Sequence, residues 1–412
     1  MVELEGLASV ADVARVQALR RGGETALVFE GRAITFAEVD AMASRIANAL
    51  IASGLRTQER IAYLSKNSDH FLPCLFGACK ARMTLTPFNF RLAAPEIARL
   101  LEDSGARIFL VGRDVADLAD QAIASLALKP RMIALGFDRG GYERSNAWIE
   151  TAATSNPLLE ADAQDDVIQV YTSGTTGGPK GVRLTNRNYL TTFKLTRASG
   201  GLNYKSGDTV LAAMPFFHVA GVNIALIAMA SGARSAILRD AAPQLILDTI
   251  SRERVNQAFL APALIHMPMQ APGIESADLS SMTVLSYGAS PISEDLRKRA
   301  SARFRSEFIQ VYGMTEVCGP GTFLASADHD PGRGKLRSCG VALAGVELKI
   351  VAADGAEVQK GAVREVVIRL PTVMKGYWNK PTRRPPPSAM TGCEPATRRM
   401  WTRMDTSSSM TG

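Results

Sequence analysis

The sequence predicts an α/β protein: mainly parallel sheets with helices on their faces, accompanied by a small antiparallel β subdomain toward the C-terminal side. Three observations lead there. Strand-like and helix-like runs alternate at the spacing of βαβ units over most of the chain. The texture changes to short β-rich runs from about Arg337 to Tyr377. A length of 412 residues is too great for one compact core, so two or three subdomains are expected.

The first clear element opens at Ile34-Thr35-Phe36-Ala37-Glu38-Val39, where Thr35 and Glu38 stand at capping-box spacing and Ile34 and Val39 can form a hydrophobic staple. Val39, Met42, Ile46 and Leu50 then share a helical face, and Gly54 is a fitting stop. Residues 60–64 read as a strand, 71–81 as a buried helix and 108–111 as a strand, while Pro95 suits the first turn of a helix reaching Asp103. A polar linker follows near residues 153–166. Beyond it, strands are expected at 167–171, 209–214, 235–238, 257–260, 284–287 and 308–312, with helices at 188–197 and 223–230. The runs 346–351 and 364–370 surround the turn Asp354-Gly355 and make the antiparallel piece. The expected division is residues 1–166 and 167–332 as two α/β subdomains, 333–381 as the β subdomain, and 382–412 as a disordered or aberrant tail.

Composition narrows the class of function. Apolar residues make up 46% and charged residues 21%, the profile of a globular enzyme and not of a fibrous or disordered chain. No run of about 18 uncharged apolar residues occurs, so no membrane span is expected, and the first thirty residues lack the pattern of a secretory signal. The default location is cytoplasmic. Five cysteines (Cys74, Cys79, Cys318, Cys339 and Cys393) form no CxxC pair, which argues against a zinc site or a disulfide framework. The formal charge of +7 owes +3 to residues 382–412, which carry five Arg and two acidic residues, and the rest shows no basic stripe interleaved with aromatics. Nucleic acid is therefore not an expected partner, and the oligomeric state stays open.

The strongest chemical signal is Tyr171-Thr172-Ser173-Gly174-Thr175-Thr176-Gly177-Gly178-Pro179-Lys180-Gly181, directly after a predicted strand. A loop rich in glycine and hydroxyl groups, with one lysine, offers backbone N–H groups, O–H donors and a positive charge to a polyphosphate. It is not the common Gly-Lys-Ser/Thr phosphate loop, because Pro179 precedes Lys180 and Gly181 follows it.

That string resembles the nucleotide loop of the adenylate-forming superfamily, which includes acyl-CoA synthetases, luciferases and peptide-synthetase adenylation domains. Four further segments agree with it in order. Pro215-Phe216-Phe217-His218-Val219-Ala220-Gly221 resembles the aromatic-histidine turn beside the acyl pocket, and Ser286-Tyr287-Gly288-Ala289-Ser290-Pro291 the glycine turn that packs on adenine and substrate. Gln310-Val311-Tyr312-Gly313-Met314-Thr315-Glu316 resembles the segment that completes the nucleotide site, and Gly376-Tyr377-Trp378-Asn379-Lys380-Pro381 the run that closes the large domain. The similarity covers residues 25–381 and implies stacked sheets of the kind found in that large domain.

The resemblance implies ATP, Mg²⁺ and coenzyme A as reactants and a small-molecule carboxylic acid, fatty or aryl, as substrate. Thr172, Ser173, Gly174, Thr175, Thr176, Gly177 and Lys180 would cradle phosphate; Gly288, Ala289, Ser290, Tyr312, Gly313 and Thr315 would hold the nucleotide. Tyr312 can stack on adenine, Thr315 can donate to the adenylate phosphate, and Glu316 with Thr176 can hold Mg²⁺. Lys180, Thr315 and Glu316 are the expected catalytic residues, joined by His218 in a pocket-lining or positioning role. Arg82-Met83 stands where relatives commonly carry glycine and a small residue.

After Pro381 the text TRRPPPSAMTGCEPATRRMWTRMDTSSSMTG contains no Leu, Ile, Val or Phe and is expected to form neither strand nor amphipathic helix. The resembled family would show here Asp-Gly followed by Thr-Gly-Asp, whose last Asp binds ribose, then a Tyr-x-Asp-x-Asp-Gly turn, an Asp-Arg pair and a small domain with a second lysine. Regrouping each codon as its last base plus the first two of the next can, with permitted codons, restore the Asp-Gly, Thr-Gly-Asp, Tyr-x-Asp-x-Asp-Gly and Asp-Arg features at the family's spacing. The single codons of Met and Trp force Asp, Val, Asp, Gly and Asp at the junctions that follow Met390, Met400, Trp401, Met404 and Met410. A frameshift near Lys380 or Pro381 is the expectation, with impaired thioester formation as its consequence. A truncated pseudoenzyme that keeps partial binding, and an adenylation enzyme for an aryl or amino acid, are the alternatives.

Overall fold

The computed structural model describes residues 6–172, 178–336, 338–351 and 365–380, with the backbone alone of 401–404. Two large mixed sheets dominate it. One has nine strands in the spatial order Val341–Ala342, Gly319–Leu324, Glu307–Met314, Val284–Gly288, Gln257–Leu260, Thr209–Ala212, Arg234–Ile237, Thr25–Phe29 and Arg32–Thr35. The other has eight, in the order Gly376–Tyr377, Lys180–Thr185, Asp166–Thr172, Thr84–Pro87, Arg60–Leu64, Ile108–Gly112, Arg131–Leu135 and Glu143–Arg144. The central strands of both are parallel; both edges of the nine-stranded sheet and the Gly376–Tyr377 edge of the other are antiparallel, while Glu143–Arg144 pairs parallel.

Parallel strands need both faces covered, and the chain supplies the cover from within. A single hydrophobic core joins side chains of both sheets (Leu27, Val210, Ile61, Val170) to the helices Phe36–Ala52, Phe71–Lys80 and Val219–Ala230. The last two are buried on nearly every face, and their sequences are apolar apart from Lys80, which donates to Asp40 and Ser44, and Asn223, which donates to the Cys318 carbonyl. Helix Phe36–Ala52 starts with the capping box expected of it: Thr35 Oγ1 accepts from the Glu38 N–H while Glu38 accepts from the Thr35 N–H at 2.7 Å. It ends at Gly54, whose φ of +71° is a left-handed position that glycine takes without cost.

The sheets cut across the expected boundary at residue 166. The hairpin of Thr25–Phe29 and Arg32–Thr35 joins the sheet built mainly by the second half, and Asp166–Thr172 with Lys180–Thr185 joins the sheet built by the first. Strand exchange of this kind is set by long-range pairing, which local patterning does not encode. The small antiparallel sheet is present as Glu347–Val351 paired with Glu365–Arg369; the turn expected at Asp354-Gly355 lies outside the described residues.

One expectation is corrected. Within the tail, Trp401–Met404 forms a third strand of the small sheet, with Trp401 opposite Arg369 and Met404 opposite Val366. Backbone pairing to an available edge needs no apolar alternation, and Trp and Thr both tolerate extended backbone.

Arg82 sits at φ +54°, the left-handed region where glycine is ordinary. Its guanidinium makes a two-pronged ion pair with Asp165, at 2.8 and 3.2 Å, which offsets the backbone cost.

Candidate active site

The site is assembled around a hairpin. Strands Asp166–Thr172 and Lys180–Thr185 pair antiparallel, with Thr172 opposite Lys180. Gly181 gives the Gln169 amide room there, since a Cβ would lie 2.7 Å from Gln169 Nε2 and the side chain would have to shift. Of the expected phosphate cradle, Thr172 and Lys180 stand at the hairpin mouth, half-buried; Ser173, Gly174, Thr175, Thr176 and Gly177 lie outside the described residues.

The roots of the hairpin are held by charges that sequence reading missed. Asp166, whose side chain is fully buried, accepts from Arg60 Nη2 and Arg183 Nε, each at 2.7 Å, and its second oxygen faces Lys375 Nζ at 3.5 Å. The Arg60 guanidinium lies 3.4 Å from the centroid of the Trp378 ring, and burial lowers its pKa from the usual arginine value. Asp103 ties in from the end of helix Ala94–Ser104. Its carboxylate accepts from Tyr171 OH at 2.6 Å, and its carbonyl accepts from Trp378 Nε1 at 2.8 Å and Asn379 Nδ2 at 3.0 Å. The only sequence signal for this network was charged residues beginning otherwise apolar strands, since a buried charge demands a partner.

Opposite the hairpin, strand Glu307–Met314 runs into the 3₁₀ turn Thr315–Val317, which carries Thr315 and Glu316, both half-buried. Tyr312 pairs with Thr322, and burial raises its phenol pKa. Gly313 and Gly288 mark close backbone approaches: added Cβ atoms would lie 1.9 Å from the Gly319 carbonyl and 2.3 Å from that of Val311. Beside Gly288, Ala289 takes φ +66° and Ser290 is exposed, so the turn presents its backbone outward at the C-terminal end of a parallel strand.

The two halves meet at Tyr377. Its hydroxyl donates to Glu316 Oε1 at 3.0 Å, and the Lys180 ammonium lies 5.4 Å from its ring centroid. Lys180 and Glu316, remote in sequence, thus flank one side chain. A single carboxylate at this position matches what Mg²⁺ needs when phosphate oxygens and water supply its other ligands.

The aromatic turn forms a separate wall. Phe216 stacks on Phe71 with centroids 4.6 Å apart, and Phe217 meets Phe90 edge-on at 5.2 Å. Asn67 clamps the turn through its side chain, donating to the Met214 carbonyl at 3.0 Å and accepting from the Phe216 N–H at 2.9 Å. His218 caps helix Val219–Ala230 with part of its ring in solvent. Desolvation by its neighbours, then the charge of Arg91, hold its pKa below the usual histidine value.

The fold is that of the adenylate-forming enzymes. The crystal structure of the N-terminal domain of FACL13 from Mycobacterium tuberculosis superposes with a TM-score of 0.81 at 28% identity, covering 91% of this chain and 92% of that one. The sequence is 34% identical over 360 residues to the fatty acid–[acyl-carrier-protein] ligase ScoC of Streptomyces coeruleorubidus, covering 86% of this chain and 68% of that protein. It is 33% identical over 359 residues to a feruloyl-CoA synthase of Amycolatopsis, covering 87% of this chain and 69% of that protein. The family described as AMP-binding enzyme matches residues 14–378, and the chain belongs to it: by family it is an acid–thiol ligase. Among the described residues no helix is long and apolar enough to cross a membrane.

Proposed function

We propose that this chain activates a carboxylic acid, of the fatty or aryl class, with ATP. The carboxylate attacks the α-phosphorus, pyrophosphate leaves, and the sulfur of coenzyme A then displaces AMP from the acyl adenylate. The observation that carries this reading is the convergence of Lys180 and Glu316 on Tyr377 at the mouth of the hairpin. In it, Lys180 and the loop from Thr172 to Gly177 neutralise and orient the triphosphate, and Tyr312 with Gly288, Ala289 and Ser290 accommodates adenine. Thr315 donates to the α-phosphate, and His218 lines the acid pocket. Mg²⁺, held by Glu316 with Thr176, would supply charge neutralisation on the phosphate oxygens. Catalysis is then mainly positioning and electrostatic stabilisation. These reactants belong to the cytoplasm, the location the reading implies.

The acid class is supported by the ligase named for fatty acid and the synthase named for feruloyl-CoA, and by the helix Val219–Ala230 that follows the aromatic turn, apolar except for Asn223. Pyrophosphate exchange into ATP, driven by fatty, aryl and amino acids in turn, tests it; exchange with amino acids alone would sink the assignment. A second reading, a binding-only pseudoenzyme, is favoured by residues 382–412, which as written lack the ribose-binding Thr-Gly-Asp. The out-of-frame origin of that segment is checked by the nucleotide sequence: a +2-frame translation without those motifs overturns it.

A further inference from the structure

The segment Thr372–Asn379 works as a strap across the site. At one end Thr372 Oγ1 donates to the Val317 carbonyl and the Met374 N–H to that of Glu316, both at 2.8 Å. At the other, the Lys375 N–H donates to the Arg183 carbonyl at 3.0 Å and the Trp378 N–H to that of Gly181 at 2.7 Å, while Tyr377 pairs with Val182. These backbone bonds flank Glu316 on one side and Lys180 on the other, and Tyr377 is the strap residue whose side chain touches both. Burial, then the neighbouring Glu316 charge, push its phenol far above the working pH range, so the hydroxyl stays a donor.

We propose that Tyr377 is a positioning residue for the phosphate site: its hydroxyl fixes one Glu316 oxygen and its ring steadies the Lys180 ammonium, so that the free carboxylate oxygen and the ammonium face one magnesium-bound polyphosphate. This rests on the assignment of Lys180 and Glu316 to ATP binding and adds to it a residue that touches neither the metal nor the nucleotide. An ordinary packing tyrosine would need only its ring. Here the hydroxyl has a specific charged acceptor, and a hydrogen bond to a charged group is among the stronger ones.

Equilibrium titration of the full chain with ATP, with and without Mg²⁺, separates the two roles. Tyr377→Phe keeps the ring and is expected to leave metal-free ATP affinity within about twofold while the Mg²⁺-dependent gain falls on the order of tenfold. Tyr377→Leu also removes the face beneath Lys180 and is expected to lower metal-free affinity by roughly threefold. In a Glu316→Gln background, Tyr377→Phe should change the Mg²⁺ response no further. Equal losses with and without metal in Tyr377→Phe, or an unchanged Mg²⁺ response, overturn the proposal. A parent chain that binds no ATP in either buffer defeats the assignment of Lys180 and Glu316, and this inference falls with it.

Discussion

The hairpin end of the site is held by charge, the aromatic end by shape. Asp166 gathers Arg60, Arg183 and Lys375 in a dry setting, whereas the turn at Phe216 is fixed by ring stacking on Phe71 and by one uncharged amide, Asn67. The difference matches the work proposed for each. A strand edge that must present a lysine to a polyphosphate is rigidified by fixed charges nearby, while the wall proposed for an apolar acid is set by packed rings, with the Arg91 guanidinium 5.5 Å from the Phe217 ring centroid as the charge beside them. It also means that the two ends should fail differently when altered.

The largest failure is expected at Asp166. Asp166→Ala leaves the buried Arg60 and the half-buried Arg183 without their counter-charge, which should destabilise the fold by about 3–5 kcal/mol in urea unfolding. A loss under about 1 kcal/mol would show the network to be hydrated and weak. At the aromatic end, Asn67→Ala removes two hydrogen bonds to backbone and should cost about 1–3 kcal/mol. Its effect should fall on acid dependence and not on ATP affinity; the reverse pattern would erase the distinction between the two ends.

Acid should reach the glycine-turn side next. His329 is buried, donates from Nδ1 to the Ala325 carbonyl and accepts from Tyr287 OH at Nε2, and desolvation holds its pKa below 6.5. The unfolded chain therefore binds more protons than the native one as pH falls below about 6.5, and stability is lost in that direction. His329→Asn should flatten the slope of unfolding free energy between about pH 6.5 and 5; an unchanged slope would assign the acid sensitivity to other groups, His70 and His218 among them. The smallest effect is expected on the surface. Asp295→Ala breaks an exposed pair with Arg299 and should move stability by less than about 0.5 kcal/mol.

Much of the frame was legible because its signals are local. Arg60–Leu64 and Gln257–Leu260 match their sequence-predicted bounds to the residue, and Thr35 with Glu38 announced the start of a helix. Lys180 stood out as a candidate because hydroxyl, glycine and charge cluster in one short run, and Glu316 only through the order of segments that resemble the family. Helix Ala11–Arg21 escaped because it buries Gln17 beside Val13 and Val16, so no clean apolar stripe marks it. The return strand Lys180–Thr185 and the antiparallel strand Gly319–Leu324 are short and interrupted by glycine. Above all, Arg60 and Asp166 are 106 positions apart. Each alone reads as the polar edge of a strand, and only the fold makes them partners.

If Lys180 and Glu316 act on one bound polyphosphate, their contributions to Mg·ATP affinity are coupled. A double-mutant cycle of Lys180→Ala and Glu316→Gln, read by titration of the full chain with Mg·ATP, should then give a combined loss smaller than the sum of the single losses, by about 0.5–3 kcal/mol. Strictly additive losses, or single substitutions that leave affinity untouched, would contradict a shared site.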